Sequence, residues 1–167
     1  SANDVVCAHV SEALMMADPA VDRRTLAITV NARNRCGLDP RLIGNFITTL
    51  NLDPRRGDTA RSIAQRIRHK VDQFSDEHCD MRANQAFLDA AGAWRAVRCV
   101  STAFNPAPCN PVISNWSGFG VYGIQFEDTF PSYCIPLTNM PVAGLGALVE
   151  GADGRGLLLQ MALPPKE

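Results

Sequence analysis

Histidine is scarce in these 167 residues: only His9, His69 and His78 occur, and none lies in a context that marks a catalyst or a metal ligand. No apolar run approaches the roughly 20 residues needed to cross a bilayer. The N-terminal residues also lack the basic and apolar regions of a secretory leader, so a cytoplasmic protein with no membrane partner is expected. There is no surplus of charge. Sixteen Lys and Arg face seventeen Asp and Glu, a net charge of -1, so no global field draws the chain to nucleic acid. No Cys-x-x-Cys pair occurs among Cys7, Cys36, Cys79, Cys99, Cys109 and Cys134. Scattered cysteines are mostly small buried hydrophobes, and although six allow three disulfides, a chain of this length does not need them. His78, Cys79 and Asp80 have the look of metal ligands, but no second close pair completes a zinc site, so no metal is expected. No Gly-x-Ser-x-Gly elbow is present, and the glycine-rich stretch 150–156 lacks the Gly-Lys-Ser/Thr ending of a phosphate loop.

What is present is the balance of an ordinary soluble domain, 46% hydrophobic and 20% charged, with one core and one domain over residues 1–167. Ser1 or Asn3 can cap a helix in which Val6, Val10, Ala13, Leu14 and Ala17 share a face, and Asp18-Pro19 ends it. Asp58 is placed to cap a second, where Ala60, Ile63, Ala64, Ile67, Val71 and Phe74 form a stripe while Arg61, Arg68 and Lys70 face outward. A third is expected at about 82–94. Strands are expected at 26–32 and 43–50, and the Gly- and Pro-punctuated runs 97–103, 120–126, 132–136, 142–150 and 157–163 read as further strands, the last two joined as a hairpin. Helices early and strands late predict an α+β two-layer sandwich with helices packed on one face of a mixed sheet.

Arg55, Arg56, Arg61, Arg66 and Arg68 concentrate positive charge around the second helix. They read as a solvated face balanced by Asp53, Asp58 and Asp72. An anion site at the helix N-terminus is the functional alternative. His69 lies off its helix's apolar stripe and reads as solvated. His9 is expected to pack near the first helix's buried face.

The run 113–131 carries Ser114-Asn115-Trp116, a glycine break, then Tyr122, Gln125, Phe126 and Pro131. It resembles the C-terminal signature of the BAHD acyl-CoA-dependent acyltransferases, Thr-Ser-Trp followed by Tyr-x-x-Asp-Phe-Gly-Trp-Gly-x-Pro. Gln125 stands in the aspartate's place, and Glu127, Asp128 and Thr129 replace Gly-Trp-Gly. Three earlier segments are similar to family motifs in the same order. Ser1-Ala2-Asn3-Asp4 matches Ser-x-Asn-Asp, residues 30–35 match Val-Asp-x-Arg-x-Arg, and Gly44-Asn45 matches the family's Gly-Asn.

The resemblance implies a chloramphenicol acetyltransferase-like half and acyl transfer from acyl-CoA, a co-substrate and not a bound cofactor, to a hydroxyl or amine of a small-molecule acceptor. The family's His-x-x-x-Asp is absent here: Ala13 stands four residues after His9, and His69 and His78 have acids only at three and two. The expected partner is therefore an N-terminal half that carries this motif, and no catalytic residue is expected in this chain. Ser114 and Trp116 are expected to line the channel, or equally to form a strand whose Trp packs inward with its N–H satisfied. Arg33 and Arg35 are the expected coenzyme contacts and the family aspartate's partners, and with Gln125 in that aspartate's place Glu127 or Asp128 is expected to supply the lost charge. Gly44, Asn45, Tyr122, Gln125, Phe126 and Pro131 are expected to be structural. A condensation-type domain of a peptide synthetase and a non-catalytic binding or scaffold domain are the alternatives.

Overall fold

Leu26, Ile28 and Val30 occupy alternate positions of one extended segment, so their side chains share one face, and burying that face organises the sheet. The computed structural model describes residues 1–74, 81–92, 110–136, 143–152 and 154–164. Among them one mixed sheet contains β1 (Leu26–Asn31), β2 (Ile47–Leu52), β3 (Val112–Asn115), β4 (Leu145–Glu150) and β5 (Leu157–Met161), in the order β2-β1-β3-β4-β5. β1 runs antiparallel to β2, with Leu26 opposite Leu52, and parallel to β3, with Ile28 opposite Ile113. β3 and β4 are parallel, and β4 and β5 form the expected antiparallel hairpin.

Helices α1 (Ala2–Ala17) and α2 (Ala60–Asp72) cover one face of this sheet, and α3 (Met81–Ala91) follows. The shared core joins Cys7 and Ala8 of α1, Ile63 and Ile67 of α2, and Leu26, Ile28, Leu50, Leu52, Ile113 and Leu148 of the strands. Full burial of each large aliphatic contributes about 1.5–3 kcal/mol, so this layer holds the fold together. The result is the α+β sandwich the sequence predicts. Among the described residues no helix is long and apolar enough to cross a membrane.

Several local expectations change. The buried stripe of α1 is Asp4, Cys7, Ala8, Ser11 and Met15, about one position round the helix from the expected one, while Val6 and Val10 are only partly buried. Small side chains at positions 7, 8 and 11 let α1 approach the core closely, and Asp4 has a partner there. Arg68 stays 44% exposed but also reaches α1, donating to Asp4 Oδ2 from Nε at 2.9 Å and from Nη2 at 2.7 Å. The cap of α2 is Thr59, not Asp58, whose carboxylate accepts from Arg55 N and Arg66 instead. Residues 120–126 form no strand. Gly120 at φ 63° opens a short 3-10 turn at Val121–Gly123 whose hydrogen bonds close locally. Residues 132–136 are also outside the sheet, with Cys134 N bonded to the Tyr122 hydroxyl at 3.1 Å. β2 starts at Ile47, because the carbonyls of Leu42 and Gly44 accept from the Arg33 guanidinium. The strand expected at 97–103, with Trp94, Cys99 and Cys109, lies outside the described residues.

The Asp4 side chain is only 4% exposed, and it completes a capping box with Ser1. Burial pushes its carboxyl up, but the Ser1 amino group, Arg68 and the Ser1 hydroxyl outweigh burial and hold it below its ordinary value. A depressed carboxylate contributes stability above its unfolded value, near pH 4, and that stability is lost as pH falls through the lower folded value. Asp4→Asn should therefore cost about 1.5–3 kcal/mol at pH 7 and flatten the acid limb of a chemical-denaturation pH series. An unchanged acid limb would contradict the assignment. Gly144 (φ 98°) gives a second test, since a Cβ there would collide with the Asn110 backbone carbonyl. Gly144→Ala should lower stability by about 2 kcal/mol or more in urea unfolding.

Candidate functional site

β3 lies at the centre of the sheet, and its alternation divides the expected site residues between two faces. Ile113 belongs to the helix-side core, whereas Val112 joins Ala27 and Leu145 in a second cluster on the opposite face. Ser114 and Trp116 share that second face. The backbone N–H of Trp116 donates to Leu148 O at 2.7 Å, which carries the pairing with β4 past the strand end. Its indole Nε1–H donates to Ser114 Oγ at 2.8 Å, and Thr29 Oγ1 donates to the same oxygen at 3.1 Å. The Trp116 ring is 38% exposed and stacks on Phe119 at 5.9 Å. Both readings of this strand are thus partly met: the indole N–H is satisfied, yet the ring stays at the surface.

Beneath Trp116 lies a hollow of about 90 Å³ walled by Phe119, Tyr122, Cys134 and Val149. A larger groove of about 470 Å³ follows the carboxyl ends of the parallel strands β1 and β3 and the start of α1. Open α/β sheets commonly bind ligands at such strand ends. The groove presents Asn3, Asn31, Arg35, Arg68, Asn115 and Ser117. Asn115 ties it together, donating to Asn3 Oδ1 at 3.1 Å and accepting from Ser117 N at 2.9 Å and Ser117 Oγ at 2.7 Å. Sequence reasoning missed Thr29, Asn115 and Ser117 as site residues. The signal for Asn115 and Ser117 was their place beside Ser114 and Trp116; Thr29 left none.

A further concavity, about 540 Å³ between α1 and α2, contains neither Ser114 nor Trp116. His9 edges it, but its side chain is 66% exposed beside Glu12 rather than packed on the buried face. His69 is exposed on α2, and His78 lies outside the described residues. Cys7, Cys36 and Cys134 are free thiols, and burial raises the Cys7 thiol to about 12, which keeps it protonated. Among the described residues no group of three or more His, Cys, Asp or Glu could hold a metal ion.

The arginines show what each position can do. Arg33 donates to the Leu42, Gly44 and Asn31 oxygens and lies 4.9 Å over the Phe46 ring, so its guanidinium pins the loop that carries Gly44 and Asn45. Arg35 donates to Val71 O at 2.8 Å and lies 5.5 Å over Phe74, while its edge borders the groove. Among the described residues neither arginine pairs with Glu127 or Asp128, which corrects the expected compensation. Backbone carbonyls already take the arginine donors, so no replacement charge is needed. Those acids instead form the tip of a two-residue hairpin between Phe126 and Thr129, with Glu127 at φ 54°. Phe126 and Gln125 are exposed, Pro131 is partly buried, and Tyr122 anchors the loop through Cys134.

The anion site at the start of α2 is also corrected. Ala60 N donates to Glu12 Oε1 at 3.1 Å and Ser62 N to Thr59 Oγ1 at 3.3 Å, so a carboxylate of this chain already occupies that position.

A five-stranded mixed sheet with helices on one face is an acyltransferase-like α+β fold. Two solved structures share it. Vinorine synthase matches with a TM-score of 0.65 at 17% identity over 95% of this chain, and F. sporotrichioides TRI101 complexed with coenzyme A and T-2 matches with 0.74 at 15% identity over 98%. Both are BAHD acyltransferases, so the BAHD-like fold expected from the motifs is found, and at these identities the likeness is one of fold. The chain spans 36% and 41% of the lengths of those two proteins. No protein-family model and no curated protein matches it.

Because Glu127 and Asp128 carry no ion pair to either arginine, Glu127→Gln and Asp128→Asn together should change unfolding free energy by less than about 0.5 kcal/mol. A loss above about 2 kcal/mol in urea titration would restore the compensation.

Proposed function

We propose that the chain is one domain, the C-terminal half of a cytoplasmic acyltransferase that moves an acyl group from coenzyme A to a hydroxyl or amine of a small molecule. The observation that carries this reading is the fold match over nearly the whole chain to about two-fifths of a protein solved with coenzyme A. The ordered motifs from Asn3-Asp4 to Pro131 support it. The base comes from a partner half carrying His-x-x-x-Asp, because His9 and His69 are exposed and neither has an aspartate four residues on.

In this reading the partner's imidazole takes the acceptor's proton as its oxygen or nitrogen bonds to the thioester carbonyl carbon. The carbonyl π pair moves onto oxygen, and the oxyanion needs a fixed hydrogen-bond donor. When the tetrahedral intermediate collapses, the C–O double bond re-forms, the C–S bond breaks, and the thiolate leaves with the proton from imidazolium. This chain supplies the wall that carries Ser114 and Trp116, and the groove at Asn115 and Ser117 faces the coenzyme arm with amide and hydroxyl groups.

A non-catalytic scaffold is the second reading. It is favoured by the loop at 125–131, where an exposed hairpin with acids at its tip replaces the aspartate and Gly-Trp-Gly of the resembled signature. One experiment separates the two. The chain is assembled with the His-x-x-x-Asp half, then assayed for coenzyme A binding by calorimetry and for thiol release from acetyl-CoA across a panel of alcohols and amines. The assembly should bind and turn over while the chain alone releases no thiol. Turnover by the chain alone, or an assembly that binds no coenzyme A, would contradict the proposal.

A further inference from the structure

The hollow beneath Trp116 has a size and a chemistry that the motifs around it do not specify. Ser114 pairs with Ala147 across β3 and β4, so Val149, two residues further along β4, emerges on the same face as Ser114 and walls the hollow there. Phe119 and Pro136 add apolar wall. The Tyr122 hydroxyl accepts the Cys134 backbone N–H at 3.1 Å, which ties one side of the hollow to the other. No lysine, arginine or histidine lines it. Its single charged group is Glu150, whose carboxylate has no ion pair among the described residues. A methyl or methylene group needs about the room of one water molecule, roughly 30 Å³, so the hollow's 90 Å³ holds about three.

Resting on the acyl-transfer reading above, we propose that this hollow receives the tail of the acyl group and selects an uncharged aliphatic chain of about three carbons beyond the carbonyl, with butyryl the best fit. An apolar cavity gains by taking an apolar chain, which trades water for wall contacts. A longer chain runs into Val149 and Pro136, and a packed wall yields little. A dicarboxylic acyl group such as malonyl sets a second carboxylate beside Glu150 with no cation to pair either one. Phe119, Val149 and Glu150 are thus specificity residues, and none of them takes part in the bond changes.

The test uses the assembled enzyme with one acceptor and compares kcat/KM for acetyl-, butyryl-, hexanoyl- and malonyl-CoA. Butyryl should exceed acetyl and hexanoyl each by about tenfold or more, the effect of a methylene missing from or forced into an apolar pocket. Val149→Ala removes two methyl groups from the wall and should raise hexanoyl relative to butyryl by about tenfold. If it does not fold, Phe119→Ala at the exposed rim serves in its place. Glu150→Gln should raise malonyl relative to butyryl by about tenfold. A further readout needs no turnover. Cys134 is a free thiol on the wall, so a non-cleavable butyryl-CoA analogue should slow its alkylation by iodoacetamide, followed by peptide mass, while coenzyme A alone should not. An assembly that turns over none of the four donors and binds no coenzyme A would overturn the acyl-transfer reading itself. Turnover with a chain-length order or a malonyl discrimination unmoved by these variants would overturn this inference alone. So would equal protection of Cys134 by coenzyme A, or a Cys134 already unreactive in the assembly without ligand, the sign that the partner half fills the hollow.

Discussion

The ion pair between Asp4 and Arg68 fixes the relation of α1 to α2, and through it the shape of the groove. A carboxylate with 4% of its side chain exposed is tolerable only if it is paired, and the Arg68 guanidinium and the Ser1 amino group both donate to its Oδ2. Because Arg68 sits late in α2 and Asp4 at the start of α1, the pair aligns the two helices across the sheet. It also sets Asn3 where its amide oxygen receives Asn115 from the end of β3. A charge pair and an amide pair thus connect helix packing to the strand end on which Ser114 and Trp116 are mounted.

The two faces of β3 have different duties. The helix-side face carries Ile113 into a core shared with α1, α2, β1 and β4, so the strand has little freedom to shift. The opposite face carries Ser114 and Trp116, whose polar atoms are held by one another and by Thr29. Rigidity on the first face fixes the positions of the polar side chains on the second. The glycine at 144 belongs to the same device. It accepts from Val112 N and donates to Ala162 O, locking the entry of β4 against β3 where any side chain would strike Asn110.

How much of this was legible in the sequence depends on the range of the interaction. The stripe of α2 was legible because Ile63 and Ile67 recur at helical spacing on a polar background. The face of α1 was not, because its buried stripe includes Asp4 and Ser11, and hydropathy cannot know that a carboxylate will meet an arginine 64 residues away. Residues 120–126 misled for the opposite reason: apolar side chains such as Ile124 and Phe126 stay exposed, while Gly120 turns the backbone. In the site, Ser114 and Trp116 were legible as neighbours within one motif. Thr29, separated from Ser114 by 85 residues, was invisible until β1 and β3 paired.

The central proposal is that the face of β3 carrying Ser114 and Trp116 lines the acyl channel of an enzyme assembled from two halves. The most direct measurement is a crystal structure of the assembled enzyme with a non-cleavable acyl-CoA analogue whose ketone replaces the thioester. The proposal predicts the acyl end of the analogue against the β3 face that carries Ser114 and Trp116. An analogue bound away from this face would contradict it.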